Sequence, residues 1–392
     1  MQTRNLNEKE SLNLQALSLY GFESTLLFVT PTGLEKSILD ATEPMRALLK
    51  NCKFHNYSEQ PQGPENKVKK NVYRIKDDQF EENVVSLYRP NTKKGDPRLW
   101  FYKMKDIVSP HDVCAVFPYH ESIAVINLTT SNLALDRANN VKSDLIQKLS
   151  SFVKEDDAIA KELAVKLKEL AASGPVPRDG KGDTAIGRSI ETALGIGINS
   201  NPKPDYKGIE LKSTRGRVRE NLFAKVADWN ISRLRSSNDI LVKYGYQRPE
   251  GLKLYVTVSS QKPNAQGLQF RMNWEEEILE EFCIKDTKED RPFCVWKFES
   301  LHEKLLQKHN QTFWIKAKEV DRGFLLKSAT YTKKPSISIF NNLIADGAIT
   351  MDHLSKTTPT GACDEKGPIF KINPNRKNEL FLGEPKEFIF SK

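Results

Sequence analysis

Lys181-Gly182-Asp183-Thr184-Ala185-Ile186-Gly187-Arg188-Ser189-Ile190-Glu191, running on to Pro204-Asp205-Tyr206-Lys207-Gly208-Ile209-Glu210-Leu211-Lys212-Ser213, is the stretch that decides how the chain is understood. Ile186, Ile190, Ala193 and Leu194 recur at helical spacing, which predicts a helix carrying Glu191. Residues 199–204 are rich in turn formers. Gly208 to Ser213 then alternates as a short strand, with Ile209 and Leu211 on one face and Glu210 and Lys212 on the other. Asp205 stands just before that strand. Two carboxylates and a lysine at one strand end suit metal-assisted phosphodiester hydrolysis. Carboxylates are hard ligands for Mg2+, which takes one or two of them and keeps several waters. The ion polarises the phosphoryl oxygen, and a lysine beside it stabilises charge that develops in the transition state. Glu191 adds a further ligand or holds a water. The bare pattern is unspecific, because 28% of the residues are charged.

The run as a whole is more specific. On Gly187-(x)3-Glu191, Leu194-Gly195, Lys203-Pro204-Asp205 and Gly208-Ile209-Glu210-Leu211-Lys212-Ser213, joined later by His309-Asn310-Gln311-Thr312-Phe313-Trp314-Ile315-Lys316-Ala317, it resembles the MvaI/BcnI-type restriction endonucleases. More distantly it is similar to the mismatch-repair nickase MutH. The resemblance spans roughly residues 175–385. It implies an α/β fold with a PD-(D/E)xK core, a mixed sheet flanked by helices, and DNA held in a cleft. It also implies Asp205 and Glu210 as metal ligands with Glu191 as the helix carboxylate, and Lys212 as the catalytic lysine. Lys181 looks like the basic residue that precedes the helix in the MutH branch, although its spacing to Glu191 is longer here.

Outside this region the first ~135 residues read as strand-rich, by short apolar runs broken by turn signals. Strands are expected at Thr25–Thr30, Val84–Tyr88, Leu99–Tyr102 and Ser122–Leu128, and a mobile polar loop at 57–70. The run Tyr88 to Arg98 is either a nucleic-acid-contacting loop or a connection stiffened by Pro90 and Pro97. Residues 143–172 are helical by period. The expected organisation is an accessory DNA- or effector-sensing domain over 1–140, a helical linker over 141–175, and the endonuclease domain over 176–392. Within the last, Leu252–Ser259 and Leu268–Asn273 are expected to pair as a hairpin. Strands are expected at Thr312–Lys318 and Phe324–Thr330, and a helix at Glu299–Lys308 with His309 as a possible C-terminal cap.

The chain carries 60 Lys and Arg against 51 Asp and Glu, a net charge of +9, which favours an anionic partner without proving one. Seven basic and three acidic residues lie between Lys203 and Lys225. Arg215, Arg217 and Arg219 are either phosphate contacts or solvated arginines. Tyr331, Lys333, Lys366 and Lys371 are the remaining candidate DNA contacts. The five cysteines form no CxxC pair and no histidine pattern marks a zinc site, which argues against a disulfide framework or structural zinc. No apolar run approaches the length of a membrane span and the N-terminus has no apolar signal region, so a cytoplasmic protein is expected. No phosphate-binding GxxxxGK[ST] loop is present. The expected activity is that of a monomeric, Mg2+-dependent type II restriction endonuclease acting on double-stranded DNA in defence against foreign DNA. The alternatives are a strand-specific repair nickase, or a DNA-binding protein whose nuclease site is vestigial.

Overall fold

The structure, a computed structural model, describes residues 4–152, 157–182, 184–196, 204–216 and 218–390. The chain forms two compact units, Met1–Lys154 together with Ser336–Asn342, and Glu155–Pro335 together with Leu343–Lys392. No helix among the described residues is long and apolar enough to cross a membrane.

The first unit is built on a seven-stranded sheet. In spatial order its strands are Thr25–Phe28, Val113–Tyr119, Ser122–Asn127, Val68–Lys76, Gln79–Tyr88, Arg98–Phe101 and Leu39–Asp40. Its pairings are antiparallel except that of Val68–Lys76 with Ser122–Asn127. Val72, Val85, Leu87, Phe101, Val116 and Val125 pack one face against Met45 and Leu49 of the helix Glu43–Asn51. The 57–70 segment is anchored rather than loose. Tyr57 and Gln60 are buried, the Tyr57 hydroxyl donates to Arg98 O, and the Gln60 amide donates to Asn66 O and Leu87 O. Arg89 turns inward to Gly95 O and Gln60 O, so within the Tyr88–Arg98 run it braces the loop.

The second unit holds three sheets. The one that carries the site runs Lys386–Ile389, Gly323–Lys333, Gln311–Val320, Glu210–Thr214, with the last two strands parallel. An antiparallel sheet runs Glu220–Ala224, Ile369–Ile372, Ile349–Thr357, Gly251–Val258, Tyr246–Arg248. A third joins Leu268–Asn273, Ile278–Cys283 and Cys294–Lys297. The expected hairpin of Leu252–Ser259 with Leu268–Asn273 is therefore not formed, because its two arms enter different sheets. In Gln311–Val320 alternation holds from Ile315 to Lys318 but fails before it, where Thr312 and Trp314 are buried along with Phe313 and Ile315. A strand between two others with both faces covered has no polar side.

The 141–175 segment divides between the units. The helix Asp144–Ser150 lies in the first, and Ala158–Ala172 lies in the second. Ala160, Leu163, Ala164 and Leu167 of the latter join Val176, Ile186, Ile190, Ile209, Leu211, Phe313, Ile315 and Phe324 in one core. That helix is thus an element of the second unit rather than a spacer. Asp157, just before it, takes Lys333 at 3.1 Å and Lys386 at 3.1 Å. Burial acts to raise the Asp157 carboxyl, but the two ammonium groups outweigh it and hold the pKa below its ordinary value.

A carboxyl whose folded pKa is depressed contributes stability above its unfolded pKa, and that contribution is lost as pH falls through the folded value. Asp157→Asn is therefore expected to lower the melting temperature at pH 7, with a deficit that shrinks as pH falls below about 4. Melting curves of both proteins across pH test this, and a deficit independent of pH would contradict it.

Candidate active site

The site begins with a turn. Tyr206 and Ile209 exchange backbone hydrogen bonds of 2.9 and 2.8 Å across Lys207 and Gly208, whose φ values are 48° and 91°. Two successive left-handed residues make the tight turn that matches strand twist, and glycine at the second position removes the steric cost. The turn folds the chain back so that Asp205 comes beside Glu210 and Leu211. Its Oδ2 accepts the Leu211 N–H at 2.8 Å. Glu162, on the helix Ala158–Ala172, clamps the turn by accepting from the Tyr206 hydroxyl and the Lys207 ammonium, each at 2.8 Å.

Glu210 opens the strand Glu210–Thr214 and is 2% exposed. Its Oε1 takes Lys212 Nζ at 2.5 Å, and its Oε2 takes Lys308 Nζ at 3.4 Å. Strand alternation thus puts Glu210 and Lys212 on one face, as their spacing predicts. Lys308 arrives from the last turn of the helix Phe298–His309. Nothing local marks it in the sequence except its place directly before the His309–Ala317 stretch, and its role is visible only in three dimensions.

Glu191 lies on the helix Ala185–Ala193, whose Ala185, Ile186 and Ile190 enter the core while Glu191 stays half-buried. Its carboxyl pKa is raised, first by burial, then by the charges of Asp205 and Glu210, against the pull of Lys212. The Asp205 pKa is also raised, by burial and then by Glu210. Glu191, Asp205 and Glu210 thus lie within electrostatic reach of one another. Among the described residues no three acidic, histidine or cysteine side chains stand close enough to hold a metal ion outright. Mg2+ needs only one or two carboxylates and completes its shell with water. The donor set therefore fits a hard divalent cation at Asp205 and Glu210, with Glu191 near.

Beside this group opens a cleft of about 940 Å3, lined among others by Lys212, Arg215, Arg219, Glu220, Trp314 and Lys371. The sequence model of the MvaI/BcnI restriction endonuclease family matches residues 164–381, more than half of the chain and all of the site. The chain belongs to the MvaI/BcnI restriction endonuclease family. Among solved structures it is similar to the restriction endonuclease MvaI in complex with its cognate DNA, at 21% identity and a TM-score of 0.52, over 60% of this chain and 100% of that one. MvaI without DNA matches over the same shares at 21% identity and a TM-score of 0.39. At this identity the likeness concerns the restriction-endonuclease fold. No curated protein matches the sequence.

Within this family member the expected DNA contacts separate. Tyr331 is 2% exposed, with its hydroxyl 2.9 Å from Gln311 Oε1 and 3.2 Å from Asp157 Oδ1, so it is a core residue and not a DNA contact. Lys333 is engaged with Asp157 and belongs to the same internal network. Arg215 reaches Glu319 at 2.8 Å and Gly182 O at 3.0 Å, at the cleft wall. Lys371 lies in the cleft on Asp352 at 2.9 Å, and Asp352 also takes Arg219 at 2.9 Å. Lys181 and Lys366 are exposed and outside that cleft. Arg217 lies outside the described residues, as does Lys203. Arg219 and Lys371 are candidate contacts in the sequence, but Asp352, which joins them, has no local signal because the three come from separate strand regions.

A carboxyl whose pKa is raised by burial and then by like charges destabilises the fold when ionised, and a bound cation relieves it. Asp205→Asn keeps the acceptor for Leu211 and is expected to melt a few degrees above the parent protein at pH 7.5 without divalent ions. Adding Mg2+ should raise the melting temperature of the parent, since a ligand at a hundredfold excess over its Kd stabilises by about 2.7 kcal/mol. The variant should not respond. Equal shifts in both proteins would contradict Asp205 as a ligand.

Proposed function

We propose that this protein is a Mg2+-dependent, sequence-specific endonuclease that hydrolyses phosphodiester bonds in double-stranded DNA, acting as a type II restriction enzyme in the cytoplasm. The observation that carries it is the buried Glu210 clasped by Lys212 at a cleft, in a chain of this family. MvaI, of similar fold, has been captured with its cognate DNA. The Glu210–Thr214 strand would be the core of a PD-(D/E)xK site. Residues 1–140 would form an accessory domain that senses DNA or an effector. The protein would work as a monomer.

Asp205 and Glu210 would hold the ion, with Glu191 positioned beside them. Bound Mg2+ supplies Lewis acidity toward a phosphoryl oxygen and makes water a better nucleophile at neutral pH. The side chains do the rest. Lys212 leaves Glu210 to donate toward charge that builds on the phosphorus-bound oxygens, a role in which one donor is worth about 10²–10³ in rate. Lys308 would stay on Glu210 and keep its carboxylate aimed. Arg219 and Lys371 give the cleft a positive floor for the backbone of the duplex.

The direct test is a digest of unmethylated genomic DNA with Mg2+, followed by sequencing of the ends. Ends that share one short motif are expected, and their pairing on the two strands distinguishes double-strand cleavage from nicking. Lys212→Ala is expected to slow single-turnover cleavage by about 10²–10³ with little change in DNA affinity measured in Ca2+. Lys212→Arg should not restore the rate, because a planar fork replaces a compact ammonium. Ends without a shared motif would overturn sequence specificity. A lost affinity with an unchanged rate would make Lys212 a phosphate contact.

A further inference from the structure

His309 ends the helix Phe298–His309 and is fully buried. Its Nε2 lies 2.9 Å from Leu222 O, on the strand Glu220–Ala224, and its Nδ1 lies 2.9 Å from Thr312 Oγ1. A carbonyl oxygen only accepts, so Nε2 carries the proton and Nδ1 accepts from the Thr312 hydroxyl. Burial, with the nearby charge of Lys212, pushes the ring pKa down to about 3. The ring is therefore neutral at working pH. That rules out a charged cap on the helix C-terminus, and the bond to Leu222 leads to a different element altogether.

The partners of this ring are the neighbours of the site. In the parallel register of Gln311–Val320 with Glu210–Thr214, Thr312 stands beside Glu210 and Trp314 beside Lys212. The imidazole bonds the first and stacks on the second, with centroids 5.3 Å apart and planes inclined by 6°. Trp314 is fixed in turn by its Nε1–H to Thr332 Oγ1 at 2.8 Å, and Lys377 Nζ lies 4.6 Å from its ring centroid. One residue before His309, Lys308 reaches Glu210 Oε2. A single buried ring thus ties the helix end that presents Lys308 to the two residues that flank Glu210 and Lys212. A phenyl ring would fill the same space without orienting either.

We propose that His309 is a positioning residue of the nuclease site, which sets the reach of Lys308 to Glu210 through Thr312 and braces Lys212 through Trp314. This rests on the reading of Glu210 and Lys212 as the reacting group's carboxylate and lysine. His309 itself touches no substrate.

The test uses the full chain with His309→Phe, which keeps a stacked ring and loses both hydrogen bonds, and Thr312→Val, which removes only the hydroxyl. Each is combined with Lys308→Met. Single-turnover rates with Mg2+ and DNA affinities in Ca2+ are measured for all. Each single variant is expected to lose roughly tenfold in rate, within the coupling usual for residues of one network, at unchanged affinity. In the Lys308→Met background His309→Phe should cost less than about twofold more, because its main route is already cut. Losses that multiply, or a loss confined to affinity, would overturn the proposal. If His309→Phe does not fold, Thr312→Val carries the same cycle. Crystal structures of the variants give a readout free of catalysis, with Lys308 Nζ expected to have left Glu210. Lys308 still on Glu210 in a folded variant would overturn the positioning role even if the parent protein proved unable to cut DNA.

Discussion

A carboxylate that is 2% exposed has lost its water, and Glu210 replaces it with Lys212 at 2.5 Å and Lys308 at 3.4 Å. Removing both partners would leave an uncompensated buried charge and be strongly destabilising, whereas either lysine alone leaves the other in place. Much of the second unit is arranged around keeping this cluster in register. The Lys207–Gly208 turn delivers Asp205, the helix Ala185–Ala193 delivers Glu191, and the helix Phe298–His309 delivers Lys308. The raised pKa values of Glu191 and Asp205 come first from burial and then from the carboxylates beside them. A fold optimised only for stability would not gather them, and carboxyls clustered with displaced pKa values are candidate functional groups.

Support for the cluster comes from a strand buried on both faces. Thr312, Phe313, Trp314 and Ile315 pack between the strand that carries Glu210 and the strand Gly323–Lys333. Around Trp314 the polar groups are paired: His309 with Leu222 O and Thr312, and Lys377 with Glu220 at 3.0 Å. Paired buried polar groups such as His309 hold one geometry, which is what a site of this kind needs. Beside the cleft, Asp352 accepts from Arg219, Lys371 and Thr257 and holds two cations in place.

The site was legible in the sequence wherever it depended on local geometry. The alternation Glu210-Leu211-Lys212 and the helical spacing around Glu191 are short-range properties, and both place their side chains as the periodicities require. What depended on distant partners was not legible. Tyr331 has the composition of a DNA contact, but its strand is central and its hydroxyl is spent on Gln311 and Asp157. The helix Ala158–Ala172 has the same 3.6-residue period whether it is a spacer or a wall of the core, and its contact with Tyr206 and Lys207 decides the matter. The strands Gly251–Val258 and Leu268–Asn273 look like hairpin arms, and only tertiary pairing sends them to separate sheets. Lys308 is one lysine among many on a helix, and its reach to Glu210 needs the fold.

The central claim is that Asp205 and Glu210 form a cation site whose charge Lys212 and Lys308 balance in the free protein. The most direct measurement is an anomalous difference map from crystals grown with Mn2+ and a duplex containing the cleavage sequence. The account predicts a strong peak at the carboxylates of Asp205 and Glu210, with Lys212 Nζ turned from Glu210 toward the DNA backbone. A cleft that holds DNA but shows no peak at these carboxylates, with Lys212 still paired to Glu210, would contradict it.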